Sequence, residues 1–333
     1  MKNWSILTDG TVGKDIPAMP KYNLTKLNFH EFQLPNGGTG MEAAVLIKLT
    51  NDYPVTFTVP PLRVDLLVQD CSPEQPYIRL GDATTGEIHI ESRKDVKVAV
   101  GGLIQKIPES LLATCPQTQK SPLDALLGDY IRGDETTIFV RGANGPLEDT
   151  PDWVTELMKS VTLPVPFPGK TFEGLIRNFS LADVHFSLPS AFAAPNSPEA
   201  SPRISATVKV LAGLPKEMNF PIDVPRVRAD ADVFYHKKKL GHLDLNKWQK
   251  ANSTRIEAHG DTPAGLAVDS IVKNAPLKIT DNDVFSDVVQ DLVFAGKKVV
   301  LGVKADVDVE TETALGKFVV RDIPAEGKVF VKR

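Results

Sequence analysis

The side chains best equipped for chemistry are six histidines, two cysteines and a set of carboxylates, and their spacing decides which reactions are open. His30, His89, His185, His236, His242 and His259 are scattered along the chain. Only His236 and His242 invite a pairing: they flank the Lys237–Gly241 turn, could face each other across a hairpin, and have Asp244 nearby as a third ligand. A catalytic zinc site needs three such ligands, and histidines at a turn are far more often simply solvated, so no metal is assigned. Asp230 and Asp232 share one strand face, but no partner acid lies in an apolar setting that would raise its pKa for general-acid work. No G-x-S-x-G elbow is present for a serine hydrolase. Asn36-Gly37-Gly38-Thr39-Gly40 precedes a strand and lacks the Lys-Ser/Thr of a phosphate cradle, which makes it a turn. Asp306, Asp308, Glu310 and Glu312 alternate with apolar residues. Calcium asks for ligands from a tight loop, so this row reads as a solvated sheet face or as charge that discourages edge pairing. The expectation is a protein that is not an enzyme, with no catalytic residue, metal or cofactor.

Cys71 and Cys115 cannot build a zinc cage by themselves. Joined, they would stabilise the first half of the chain by roughly 3–4 kcal/mol; two free thiols are the equal alternative. Asn-x-Ser/Thr triplets mark Asn3, Asn23, Asn178 and Asn252 as candidate N-glycosylation sites, a lean toward a lumenal or extracellular location.

The 333 residues carry a formal net charge of −4 and are 42% hydrophobic and 24% charged, an ordinary soluble composition that excludes global disorder. The longest basic block is Lys237-Lys238-Lys239, too little to neutralise a run of phosphates, so no nucleic-acid partner is expected. No apolar run reaches the ~18 residues that would span a bilayer. The amino terminus lacks the apolar core of a signal peptide, so the chain is expected to be cytosolic or to follow an upstream targeting segment.

The elements holding these residues are strands. Arg203–Val210, Val227–Val233 and Val303–Val309 alternate apolar with polar residues, the signature of antiparallel sheets with one wet face. The halves also resemble each other. Val59-Pro60-Pro61-Leu62-Arg63-Val64-Asp65 matches Val224-Pro225-Arg226-Val227-Arg228-Ala229-Asp230, an offset of 165 that also aligns Val45-Leu46 with Val210-Leu211. The fold expected is mainly β: two tandem antiparallel β-sandwich domains, each with a short amphipathic helix. Residues 1–25 form a stub, the end of a preceding domain. Residues 26–165 form the first domain, with helices near 121–132 and 151–160. Residues 166–333 form the second, with a helix near 281–295. The proline cluster Leu163–Gly169 is expected to be the extended connection.

Ser121 caps the first helix and Pro122 opens it, while Asp281 or Asp283 caps its counterpart and Gly296 ends it. Their apolar faces must lie over a sheet, and an incomplete seal there leaves a groove. Leu126, Tyr130, Val288 and Leu292 are the candidate groove residues. In the helix near 151–160, Trp153, Val154, Leu157 and Met158 lie along one side, and the helix is expected to pack as a plug near the domain junction. Asp149, Asp152 and Glu156 disfavour docking on an anionic membrane.

Several stretches resemble a fungal family. They are Ala182-Asp183-Val184-His185-Phe186-Ser187-Leu188-Pro189, Leu214-Pro215-Lys216-Glu217-Met218-Asn219-Phe220, Leu240-Gly241-His242-Leu243-Asp244-Leu245-Asn246-Lys247-Trp248-Gln249 and Ala275-Pro276-Leu277-Lys278-Ile279-Thr280-Asp281. With Pro151-Asp152-Trp153, Val165-Pro166-Phe167-Pro168-Gly169 and Ile323-Pro324-Ala325-Glu326-Gly327-Lys328-Val329, they are similar to the C-terminal part of the fungal vacuolar membrane proteins implicated in terminating autophagy. The resemblance implies tandem domains similar to late-embryogenesis-abundant type 2 domains, in the vacuole lumen, anchored by a membrane segment absent from this chain. It implies a lipid partner between sheet and helix, or a vacuolar protein partner for a structural, protein-interaction array. Some relatives are described as pre-ribosomal-RNA processing factors, which implies a nuclear location instead.

Overall fold

The computed structural model describes residues 22–331, apart from Asn36, Gln119, 145–149, Pro168, 170–175, Leu188, 190–191, 193–200 and Asp261. Asn3 and most of the expected stub lie outside the described residues. The chain is mainly β and divides into two units. The first takes in described residues 22–169 together with Glu217–Phe220 and Ala314–Gly316, and the second takes in the remainder.

The first unit runs β1 (Tyr22–Gln33), β2 (Thr39–Leu49), β3 (Phe57–Val59), β4 (Arg63–Gln69), β5 (Tyr77–Thr85), β6 (Ile88–Ile90), β7 (Val96–Ile104), α1 (Glu109–Leu112), α2 (Pro122–Arg132), β8 (Thr136–Gly142), α3 (Asp152–Lys159) and β9 (Thr162–Phe167). Seven of these strands form one antiparallel sheet in the order β1-β2-β7-β5-β4-β8-β9, and β3 pairs with β6 in a separate ribbon.

The second unit runs β10 (Ile176–Ser187), β11 (Arg203–Gly213), β12 (Asp223–Tyr235), β13 (Lys238–Ile256), β14 (Gly265–Ile279), α4 (Asn282–Val289), β15 (Val299–Thr313) and β16 (Gly316–Val331). Its sheet order is β10-β11-β14-β13-β12-β15-β16.

With the ribbon set aside, both sheets read first-second-fifth-fourth-third-sixth-seventh. This is a Greek-key path, in which a three-stranded leaf (first, second, fifth) joins a four-stranded leaf through the hairpin of the fourth and fifth strands. In both copies the main helix, α2 or α4, connects the fifth strand to the sixth. The R-[V/A]-D end of the repeated segment, Arg63–Asp65 and Arg228–Asp230, falls on the third strand of each sheet. Its Arg and Asp face outward, where neighbouring strands supply partners: Arg63 with Asp82 at 3.5 Å and Asp65 with Arg79 at 2.6 Å, then Arg228 with Asp308 at 2.7 Å. The repeat visible in the sequence is thus a pattern of cross-strand ion pairs and not a binding motif.

One expectation is corrected. The proline-rich stretch expected to connect the domains is β9 over Thr162–Phe167, paired with β8 from Thr136↔Phe167 to Arg141↔Thr162. Proline lacks the N–H a central strand needs but is tolerated at a sheet edge, and β9 is an edge.

Side-chain caps set the helix starts. Ser121 and Asp124 form a reciprocal capping box at α2, and Asp281 accepts from the backbone N–H groups of Asp283 and Val284 at α4. In α3 the four apolar residues do not share one role. Met158 covers Gly142, where a Cβ would lie 2.5 Å from the Met158 Cβ, while Trp153 and Leu157 are 68% and 52% exposed.

In each unit an aromatic on the first strand meets the last strand of the same sheet. The Tyr22 hydroxyl donates to the Pro166 carbonyl, and the Phe179 ring lies against Gly327.

Candidate functional site

The second unit encloses a cavity of about 40 Å³ lined by fourteen side chains, all of them apolar. Four groups of elements supply the wall. β10 and β11 bring Leu181, Val184, Phe186 and Ile204; β12 and β13 bring Val233, Leu240 and Leu243; β15 and β16 bring the alternating inward residues of Val299–Val303 and Val329–Val331; α4 and the turn after it bring Val288 and Leu292. Period-two alternation delivers the strand residues and helical spacing delivers the other two. Val184 reaches the wall from an irregularity between Ala182 and His185, where Asp183 adopts a positive φ of 51°.

The helical wall is distinctive. After α4 the chain makes a π-helical turn, Gln290–Phe294, in which the Ala295 N–H reaches the Gln290 carbonyl at 2.9 Å. The wider turn carries Leu292 over the sheet and leaves Phe294 outside. Such single π turns recur at functional positions. The turn is tied to the sheet by Tyr235, whose hydroxyl donates to Asp291 at 2.7 Å, and Lys297 holds the other oxygen of that carboxylate at 2.8 Å. The Tyr235 phenol is pushed up to about 12, first by this hydrogen bond and then by burial. Lys297 and Tyr235 together hold the Asp291 carboxyl below the usual carboxylate range.

Of the candidate groove residues, Val288 and Leu292 therefore meet on one cavity. Leu126 and Tyr130 belong to α2 in the other unit and are half-buried. The Tyr130 ring tilts against Phe167 with centroids 5.9 Å apart, and burial raises its phenol pKa. The strand residues of the cavity were missed because inward positions of a sandwich are apolar whether or not they leave a void.

His236 and His242 do not face each other. Tyr235 pairs with Lys238, so the turn is the two residues His236-Lys237, with φ of 48° and 67°. His236 stacks on Tyr235 at 4.0 Å, while His242 stands on the wet face between Asp232 (3.2 Å) and Asp230 (3.3 Å). Lys239 pairs with Asp232 at 2.8 Å and holds its carboxyl below the usual range, with His242 contributing. Among the described residues no group of three or more His, Cys, Asp or Glu is placed to hold a metal ion. On the acidic row, Asp308 pairs with Arg228, Glu310 with Arg226 and Glu312 with Lys317, and Trp248 lies under Arg226 and Arg228 at 5.7 and 4.8 Å.

Cys71 and Cys115 are joined in a disulfide, with Cα atoms 5.7 Å apart. Asn23, Asn178 and Asn252 all lie on strands with exposed side chains. Among the described residues no helix is long and apolar enough to cross a membrane.

These features define a tandem Greek-key β protein with an apolar interior site in its second unit. Residues 218–332 match the family described as the Tag1 C-terminal domain, about a third of the chain and most of the second unit, consistent with a Tag1-like family. No curated protein matches the chain.

Proposed function

We propose that the chain is a non-catalytic binding module whose second unit holds an apolar ligand, the acyl chain of a lipid, between its sheet and α4. The observation that carries this reading is the cavity under Val288 and Leu292, walled by apolar side chains alone. A polar substrate would find no hydrogen-bonding partner there, whereas an alkyl chain loses nothing by leaving water. Size sets the mechanism. A cavity that admits benzene is on the order of 150 Å³, so about 40 Å³ is a closed state, and entry requires α4 to swing outward.

The module is assigned to the vacuole lumen as part of a membrane-anchored protein, with a role in ending autophagy. The Tag1 C-terminal match, the resemblance of the sequence, the disulfide and three exposed sequon asparagines support that location. Glycosidase treatment of the chain taken from its own host tests it: a mobility shift is expected, lost in stages as Asn23, Asn178 and Asn252 are changed to Gln. Nuclear fluorescence of a tagged chain with no glycan would overturn it. Titration with a fluorescent fatty acid tests the site; one saturable equivalent per chain is expected, and binding without saturation would contradict it.

A further inference from the structure

On the outer side of the four-stranded leaf of the second unit, charge pairs follow one another along the strands. Arg226 meets Glu310, Arg228 meets Asp308 (2.7 Å), and Lys304 meets Glu326 (2.6 Å). Beyond Lys304 the character changes. Gly302 lies opposite Phe234, then come Val300, 40% exposed, and Phe330, 52% exposed, with the Lys298 ammonium 4.3 Å from the Phe330 ring. Lys328 is the outward neighbour of Phe330 on β16, and Phe294, 81% exposed, stands four residues before Lys298 on the turn that enters β15. These segments are apolar on both sides, since Val299, Leu301, Val329 and Val331 face the interior.

Exposed aromatic rings with a lysine over one of them and a second lysine beside it on the strand match one surface well: an anionic bilayer, where rings settle among the headgroups and ammonium groups meet lipid phosphates. The two carboxylates nearest in sequence are both already engaged: Glu326 by Lys304, and Asp291 by Tyr235 and Lys297. We propose that this end of the second unit, formed by Phe294, Lys298, Val300, Lys328 and Phe330, docks on anionic lipid membranes. The proposal stands apart from the cavity reading, although it would set a bilayer beside the helix that must move.

The test is flotation of the full chain with vesicles of phosphatidylcholine alone and of phosphatidylcholine mixed with phosphatidylserine. Binding is expected only to the anionic vesicles and is expected to weaken with salt. Lys298→Gln with Lys328→Gln should lower the partition coefficient ~25-fold, about fivefold per lysine at an anionic surface. Phe294→Ser with Phe330→Ser should abolish it; both rings are exposed, so the melting curve should be unchanged. Val288→Ile, which fills the cavity, should leave flotation intact, so that failure here and failure of the ligand site are distinguishable. No flotation with either vesicle, or variants that float like the parent, would overturn the proposal and leave the patch to a protein partner.

Discussion

The ring of Phe179, on the first strand of the second sheet, occupies the space that a side chain at Gly327, on its last strand, would need. A Cβ there would sit 2.8 Å from the Phe179 Cγ and 3.0 Å from its Cβ. β10 and β16 are the two edges of this curled sheet. An aromatic ring laid over a glycine lets them approach without a hydrogen-bonded ladder, and it covers edges that would otherwise invite strand addition. In the first unit the Tyr22 hydroxyl reaches the Pro166 carbonyl between the corresponding edges.

Gly327→Ala should therefore destabilise the second unit by about 1–3 kcal/mol, the usual range for overpacking. Phe179→Ala should relieve part of that clash, so the double variant should lose less stability than the sum of the two single losses. Urea unfolding of the four proteins measures this. Strict additivity would mean that the seam is not closed by this pair.

Val288→Ile adds one methylene beside a void of about 40 Å³. At roughly 24 cal/mol per Å³ of cavity, filling it should raise stability by up to about 1 kcal/mol. The same change should cut fatty-acid binding at least tenfold, because a bulkier wall leaves less room when α4 moves. Gain in stability with unaltered binding would place the ligand elsewhere.

The Cys71–Cys115 bond closes a loop of 44 residues, which corresponds to about 4 kcal/mol of restriction in the unfolded chain. Replacing both cysteines with Ala should lower the melting temperature of the first unit and leave the second where it is. Equal melting of parent and variant, each without reductant, would contradict this.

Raised tyrosines shape the alkaline limit, Tyr22 and Tyr235 most strongly and Tyr130 in the same direction. Tyr22, pushed up to about 12 by burial and then by the charge of Glu135, and Tyr235, pushed up to about 12 by its bond to Asp291, both favour the neutral phenol in the native state. The stability they contribute is complete below the ordinary tyrosine value of about 10 and is lost as pH climbs from there through about 12. Asp232 and Asp291 act with the opposite sign. Their pKa values are depressed, so what they contribute is present above about 4 and is lost as pH falls through their lower native values. None of the four adds a slope between about pH 5 and 9. Tyr235→Phe should soften the alkaline fall in the urea midpoint, and an unchanged alkaline limb would show that Tyr235 does not hold α4 closed.

Much of the fold was legible because alternation and caps are local. Ser121, Pro122 and Asp281 start their helices by side-chain geometry that any reader of the sequence can apply, and the Arg-Asp pattern of β4 and β12 marks the same strand twice. Three features were not legible, for physical reasons. Prolines 164 and 166 looked like a connector because their tolerance at an edge depends on having one neighbour, a tertiary fact. The π turn at Gln290–Phe294 inserts one residue into an otherwise regular helical pattern, and nothing in the residue types announces it. Trp153 and Leu157 fit a helical stripe with Val154 and Met158, yet only the side over Gly142 finds a partner. At the candidate site, helical spacing picked out Val288 and Leu292, whereas the cavity behind them depends on how strands distant in sequence converge.

Native mass spectrometry of the chain purified from its own host, with lipid extraction of the same sample, tests the proposed apolar site most directly. The result expected is a single lipid or fatty acid bound to each chain, with occupancy sharply reduced in Val288→Ile. A parent chain that carries no apolar ligand and takes none from an added lipid extract would contradict it.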